Sequence, residues 1–184
     1  IHAGDVSGRG WPTEISNFLD WFKDLDYKYK IFIAGNHDFY FEDLKEEFEY
    51  EDIIYLNDSG ITIEGINIWG SPVQPEFYDW AFNRNRGAEI DKHWQLIPND
   101  TDILITHGPP FGYLDETAQK DKVGCVDLLK RIDIVKPKVH IFGHIHEGYG
   151  TTIKDNNTLF INASVLDEHY KMMNAPIVIE YSTE

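Results

Sequence analysis

Apolar residues at Ile15, Phe18, Leu19 and Phe22 share one helical face, and Pro12 and Thr13 supply a start, so the spacing predicts a helix over 11–26. "YKIFIAG" (29–35) is an apolar run ending on glycine and predicts a buried strand. "FEDLKEEF" (41–48) has the look of a short helix. Ile61/Ile63 and Ile66/Ile68 alternate around Glu64-Gly65, which predicts a hairpin. The segment 71–87, rich in aromatic and turn residues, reads as irregular. "TDILITHGPP" predicts a strand stopped by Gly-Pro-Pro, "VGCVDLLKRI" an amphipathic helix ending near Pro137, and "KVHIFGH" another strand. Residues 148–164 predict a hairpin turning at Asn156-Asn157, and "APIVIEY" (175–181) a closing strand.

Helices alternate with strands early and hairpins dominate late, without repeats or low-complexity linkers. That order predicts a sheet-rich α/β sandwich with mixed sheets covered by helices. At 184 residues the chain fits one domain, and its 42% hydrophobic content suits a packed core. The net charge of −16 argues against a nucleic-acid backbone or an anionic membrane as partner. Arg84 and Arg86 form the one small basic candidate, read here as part of a solvated loop. The single cysteine, Cys125, excludes an intramolecular disulfide and points to a reducing, cytoplasmic setting; on its amphipathic helix it reads as a small buried residue.

The polar residues then change the picture. Four apolar runs end in the same way, each followed at once by a metal-capable or acid–base group: Asp5 after "IHAG", Asn36, His37 and Asp38 after "IFIAG", His107 after "ILIT", and His144 and His146 after "HIFG". Sheet proteins of this class form ligand sites beyond the carboxyl ends of their strands. Imidazole, carboxylate and amide donors suit Mn, Fe or Zn better than Ca. His144 and His146, two apart, would lie on one side of an extended chain, roughly 7 Å apart at the backbone. His140 would lie about 13 Å back along the strand and reads as structural. His93 and His169 read as bystanders, and His2 is ambiguous beside Asp5.

Gly4-Asp5, Gly35-Asn36-His37-Asp38, His107 in "THGPP" and Gly143-His144-Ile145-His146 together resemble the motifs of the calcineurin-like metallophosphoesterase superfamily. "VGCVDLL", "HIFGHIHEGYG" and "INAS" look closer still to its metallophosphoesterase-domain-containing branch, related to the fetal-brain protein. The resemblance implies a four-layer α/β/β/α sandwich of two mixed sheets flanked by helices. It implies that Asp5 bridges two divalent ions, that Asn36, His107 and His144 complete one shell, and that His146 joins Asp5 on the other. His37 would stand by the leaving-group oxygen as proton donor to a reaction driven by a metal-bound hydroxide, oriented by Asp38, and Arg9 would grip phosphate. Some relatives replace the residue at the His144 position and are weak, nucleotide-holding enzymes; its retention favours activity.

The family's first motif, Asp-x-His, is absent, so residues 1–184 are expected to be an N-terminally truncated metallophosphoesterase domain lacking its first strand, with one ion held by fewer protein ligands and one metal as the alternative to two. The implied function is a phosphodiesterase acting on cyclic nucleotides or similar small phosphodiesters. The rivals are a low-turnover nucleotide-binding or scaffold protein and a phosphomonoesterase or phosphoprotein phosphatase. Phe77, Tyr78, Trp80 and Phe82 could stack a base or fill a core.

Overall fold

Strands buried on both faces must be near-continuous apolar runs, and β2 (Lys30–Ile33), β8 (Ile103–Thr106) and β9 (Val139–Phe142) are buried at every residue. The computed structural model describes residues 1–44, 48–153 and 157–182. β2 lies between β1 (His2–Ala3) and β3 (Ile53–Tyr55) in a small sheet whose pairs are all parallel. The larger sheet is mixed, with strand order β10-β11-β9-β8-β5-β4. Its other members are β4 (Ser59–Ile63), β5 (Ile66–Ser71), β10 (Gly150–Ile153) and β11 (Leu159–Asn162). The β4–β5 hairpin turns where expected, with Glu64 and Gly65 both at positive φ (50° and 84°), the geometry of a primed two-residue turn.

Three apolar clusters set the layers. Ile31 and Ile33 of the small sheet pack against Ile68, Ile105, Ile141 and Ile161 of the large one, so the sheets face each other across a core of β-branched side chains. Helix α1 (Pro12–Lys23) buries Ile15, Phe18, Leu19 and Phe22 on the outer face of the small sheet, against Phe32 and Ala34. Each such burial contributes about 1.5–3 kcal/mol. Helices α3 (Ala88–Trp94) and α4 (Val126–Val135) cover the outer face of the large sheet through Ile90, Trp94, Leu128 and Ile132, packed on Leu104, Phe142 and Phe160. The result is the α/β/β/α order. Cys125 is buried at the N-cap of α4, where its sulfur accepts from the Leu128 amide.

Several elements differ from the sequence reading. The helix expected over 41–48 is the single turn α2 (Phe39–Glu42), and residues 45–47 of that expectation lie outside the described residues. So does Asn156 of the turn expected at 156–157. The irregular segment contains a short parallel pair, β6 (Gln74–Pro75) with β7 (Asn83–Arg84), too brief to leave a two-residue period. Helix α3 was not anticipated; Ile90 and Trp94, four apart and both buried, were its signal. Residues 175–181 form no strand. Their alternation is real, with Ile177, Ile179 and Tyr181 against the inter-sheet core and Val178 exposed, but alternation reports which face a side chain takes, not whether the backbone joins a ladder.

Candidate metal centre

The carboxyl ends of β1, β2, β8 and β9 meet at one edge of the sandwich, where the sheets are tied by the His107 ring. Its Nδ1–H donates to the Ala3 carbonyl oxygen at 3.0 Å, linking the end of β8 to β1. Two glycines permit this approach. A Cβ on Gly4, which sits at φ +96°, would come within 2.5 Å of His107 Nδ1, and one on Gly35 would overlap the Asp5 carboxylate.

Asp5, His107 and His144 offer ligand atoms that all lie within 4.8 Å of one another. Asn36 completes the group: its Oδ1 lies 2.8 Å from His107 Nε2 and 2.9 Å from His144 Nδ1, while Asp5 Oδ2 lies 3.4 Å from His107 Nε2. With Nδ1–H committed to Ala3, a neutral His107 presents a lone pair on Nε2, and it faces an amide oxygen that also has only lone pairs. Such an arrangement is relieved by a cation. Asp5 and His144 both hold left-handed backbone (φ 57° and 69°), strain of the kind that collects at functional sites.

The electrostatics agree. Burial opposes the Asp5 charge, but His107, His37 and His144, with the His37 amide, outweigh it and hold its pKa below the usual value. Burial, with His107 beside it, pulls His144 down to about 3, so the ring is neutral and can offer a nitrogen lone pair. Carboxylate, amide and imidazole donors at these distances fit a divalent cation.

His37 stands at the edge of this group. Its amide donates to Asp5 Oδ1 at 3.0 Å, and its ring Nδ1–H donates to the Gly8 carbonyl at 2.8 Å, which leaves Nε2 free for chemistry. Asp38, expected from the resemblance to orient His37, shares no hydrogen bond with the His37 ring, which bonds to Gly8. Asp38 is fully buried, and its oxygens accept from Val6 N, Ser7 N, Ser7 Oγ and Gly35 N (2.6–3.1 Å). It therefore acts on His37 at one remove, by holding the loop that presents the Gly8 carbonyl. Burial, then the nearby Asp5 charge, pushes Asp38 up to about 6. Arg9 lies on the same loop, which Glu14 steadies by accepting from the Gly8, Arg9 and Trp11 amides.

His146 lies outside the three-residue cluster. β9 ends at Phe142, His144 takes left-handed backbone, and His146 opens a 3₁₀ turn (His146–Gly148), so the extended spacing expected for the pair does not apply. Its Nδ1–H donates to the Asp167 carbonyl at 2.9 Å and its ring meets Tyr170 edge-on at 5.2 Å, which leaves Nε2 as the ligand-capable atom.

The remaining candidates separate clearly. His140 is buried against Phe142 and Phe160, as its place in the strand implied. His2 packs edge-on to Phe18, 5.2 Å away, in the core beneath α1. His93 joins Asp58 at 2.5 Å and accepts from Arg84. Arg84 and Arg86 are not a free basic patch, because Arg84 also donates to the Asn83 carbonyl and Arg86 to the Val123 and Gly124 carbonyls. Of the aromatic loop, Phe82 is core, Phe77 and Tyr78 pack on each other in solvent, and Trp80 reaches the site, 4.4 Å from the His37 ring and 5.1 Å from the Arg9 guanidinium. The Gly8 and Asp167 carbonyls escaped sequence reasoning, because a backbone oxygen carries no residue-type signal. Among the described residues, no helix is long and apolar enough to cross a membrane.

A family model described as calcineurin-like phosphoesterase matches residues 1–148. Metallophosphoesterase domain-containing protein 1 of Homo sapiens is 44% identical over 210 aligned positions, covering 100% of this chain and 64% of its own length. A UPF0046 protein of Caenorhabditis elegans is 37% identical over 194 positions, covering 97% of this chain and 66% of its own length. This chain thus spans about 64–66% of these relatives. One solved crystal structure shares the fold with a TM-score of 0.61 at 18% identity, covering 83% of this chain and 63% of that one. With strand-end donors converging at one edge and the family's motifs running through residues 1–148, the chain belongs to the calcineurin-like phosphoesterase family.

Proposed function

We propose that the protein hydrolyses phosphoesters with a bound divalent cation, and that its substrates are small phosphodiesters, cyclic nucleotides among them. The observation that carries this reading is the convergence of Asp5, Asn36, His107 and His144 on one point, with His37 beside them. Asp5, Asn36, His107 and His144 would hold the cation, of Mn, Fe or Zn type, and His146 Nε2 would serve a second ion with Asp5. A cation held there polarises the phosphoryl group and lowers the pKa of the attacking water.

The chain's own residues do the rest. His37, anchored through Nδ1–H to the Gly8 carbonyl, presents Nε2 to the departing alkoxide, and the imidazolium form would donate its second proton from there. Asp38 fixes the Val6–Ser7 backbone that carries this anchor. Arg9 on the same loop would meet a non-bridging phosphate oxygen. The net charge of −16 supports a small substrate over a nucleic-acid polymer, and the lone buried cysteine supports a cytoplasmic setting.

The test is turnover of bis-p-nitrophenyl phosphate and of p-nitrophenyl phosphate by the purified protein with added Mn²⁺. Diester turnover that exceeds monoester turnover supports the reading. A monoester preference overturns the substrate class. Absence of both activities, with micromolar AMP binding, favours a nucleotide-binding protein.

A further inference from the structure

Trp80 lies far from the metal-binding motifs in sequence, and no motif includes it. Its ring centroid stands 4.4 Å from that of His37, tilted by 36°, 6.1 Å from that of Phe39, and 5.1 Å from the Arg9 guanidinium carbon. The loop that delivers it is tied to the same turn: the Ala81 amide donates to the Asn36 carbonyl at 3.1 Å, and the Phe82 amide to Glu42 Oε1 at 2.8 Å. Ala81 and Phe82 are buried, so the loop is fixed immediately beyond the tryptophan.

One hydrogen bond, Nδ1 to Gly8, leaves an imidazole free to swing about that bond. The indole packed against it, tilted by 36°, restricts that freedom. We propose that Trp80 is a positioning residue for His37, holding its imidazole so that Nε2 meets the leaving-group oxygen. This inference rests on the hydrolase reading above. In the step concerned, a water oxygen bonds to phosphorus as the P–O bond to the leaving group breaks. The electron pair stays on the leaving oxygen, which takes the Nε2 proton of the His37 imidazolium; the ring is left neutral with its Nδ1–H on Gly8, and the attacking water's proton passes to solvent.

Proton donation matters most when the leaving group is poor. Trp80→Ala should therefore lower kcat on diphenyl phosphate by roughly 10- to 100-fold, as misplacement of a catalytic group does. It should lower kcat on bis-p-nitrophenyl phosphate less, with bound Mn²⁺ unchanged, and Trp80→Phe should restore most of the loss. In a His37→Ala background, Trp80→Ala should add nothing, because the residues act as one unit. In the metal-free protein, the His37 ring-proton NMR resonances should move on Trp80→Ala as the indole ring current is lost. Equal losses on both diesters, additive losses in the double variant, loss of metal, or unmoved His37 resonances would each overturn the positioning role while leaving the hydrolase reading intact. Failure of the unmodified protein to turn over either diester overturns both.

Discussion

His140 Nε2 lies 2.8 Å from Thr106 Oγ1, and that hydroxyl donates its own proton to the Gly108 carbonyl at 2.7 Å. The relay spans the residues on either side of His107, so a histidine that binds nothing braces the turn that carries one of the converging donors. It also explains why "HIFGHIH" holds three histidines. His144 joins the site, His146 opens the turn beyond it, and His140 sits behind it, in the core.

Burial pulls His140 from 6.5 down to about 3. Above pH 6.5 the ring is neutral folded and unfolded, and its contribution is complete. Between 6.5 and about 3 only the unfolded chain takes the proton, so stability falls as pH falls, by about 1.4 kcal/mol per pH unit for one proton. His140→Gln keeps a donor for Thr106 and removes this titration. Urea unfolding at pH 6.5 and pH 5 should show the parent losing about 1.7 kcal/mol more than the variant over that interval. Equal losses would mean that His140 is not held neutral.

What was legible in the sequence divides along a physical line. Asp5, Asn36, His107 and His144 announced themselves because buried parallel strands are continuous apolar runs, and a polar residue just past one must lie at the sheet's edge. α1 was legible because four apolar residues on a 3.6 period have one interpretation. The Trp80–His37 contact was not, since it depends on a loop whose path is set by β6, β7 and the Ala81–Asn36 bond. Nor was the closing segment, because side-chain alternation is common to ladder strands and to extended chain lying on a core.

Gly35 should tolerate no side chain. A Cβ there would overlap the Asp5 carboxylate oxygen and amide and come within 2.6 Å of His107 Cε1, and these are fixed atoms rather than flexible tips. Gly35→Ala should destabilise the fold by about 1–3 kcal/mol, the usual cost of overpacking. It should also weaken divalent-metal binding, because the displaced groups are two of the donors. Thermal melts with and without Mn²⁺ would show both: a lower Tm and a smaller rise on adding metal. A variant that melts and binds like the parent would refute the close packing of these strand ends.

His107→Ala removes a donor from the centre of the group and the strap from β8 to the Ala3 carbonyl. Loss of a residue that merely supports a metal ligand costs 10- to 100-fold in affinity, so loss of the ligand itself should cost at least about 100-fold. Calorimetric titration with Mn²⁺ or Zn²⁺ is the measurement. Affinity within a few-fold of the parent would place the cation elsewhere.

His37→Ala separates proton transfer from metal binding. The side chain contributes no atom to the Asp5–Asn36–His107–His144 group; only its amide touches Asp5, and an alanine amide does the same. Metal content, measured by elemental analysis after gel filtration, should therefore stay at the parental level. Turnover of a phosphodiester should fall by about 10²–10⁴-fold, the range for losing a general acid. The loss should be smaller for a p-nitrophenyl leaving group, whose phenolate departs without protonation, than for a phenyl one. A variant that loses its metal instead would make the imidazole a ligand. A variant that keeps full activity would transfer the proton donor's role to another residue.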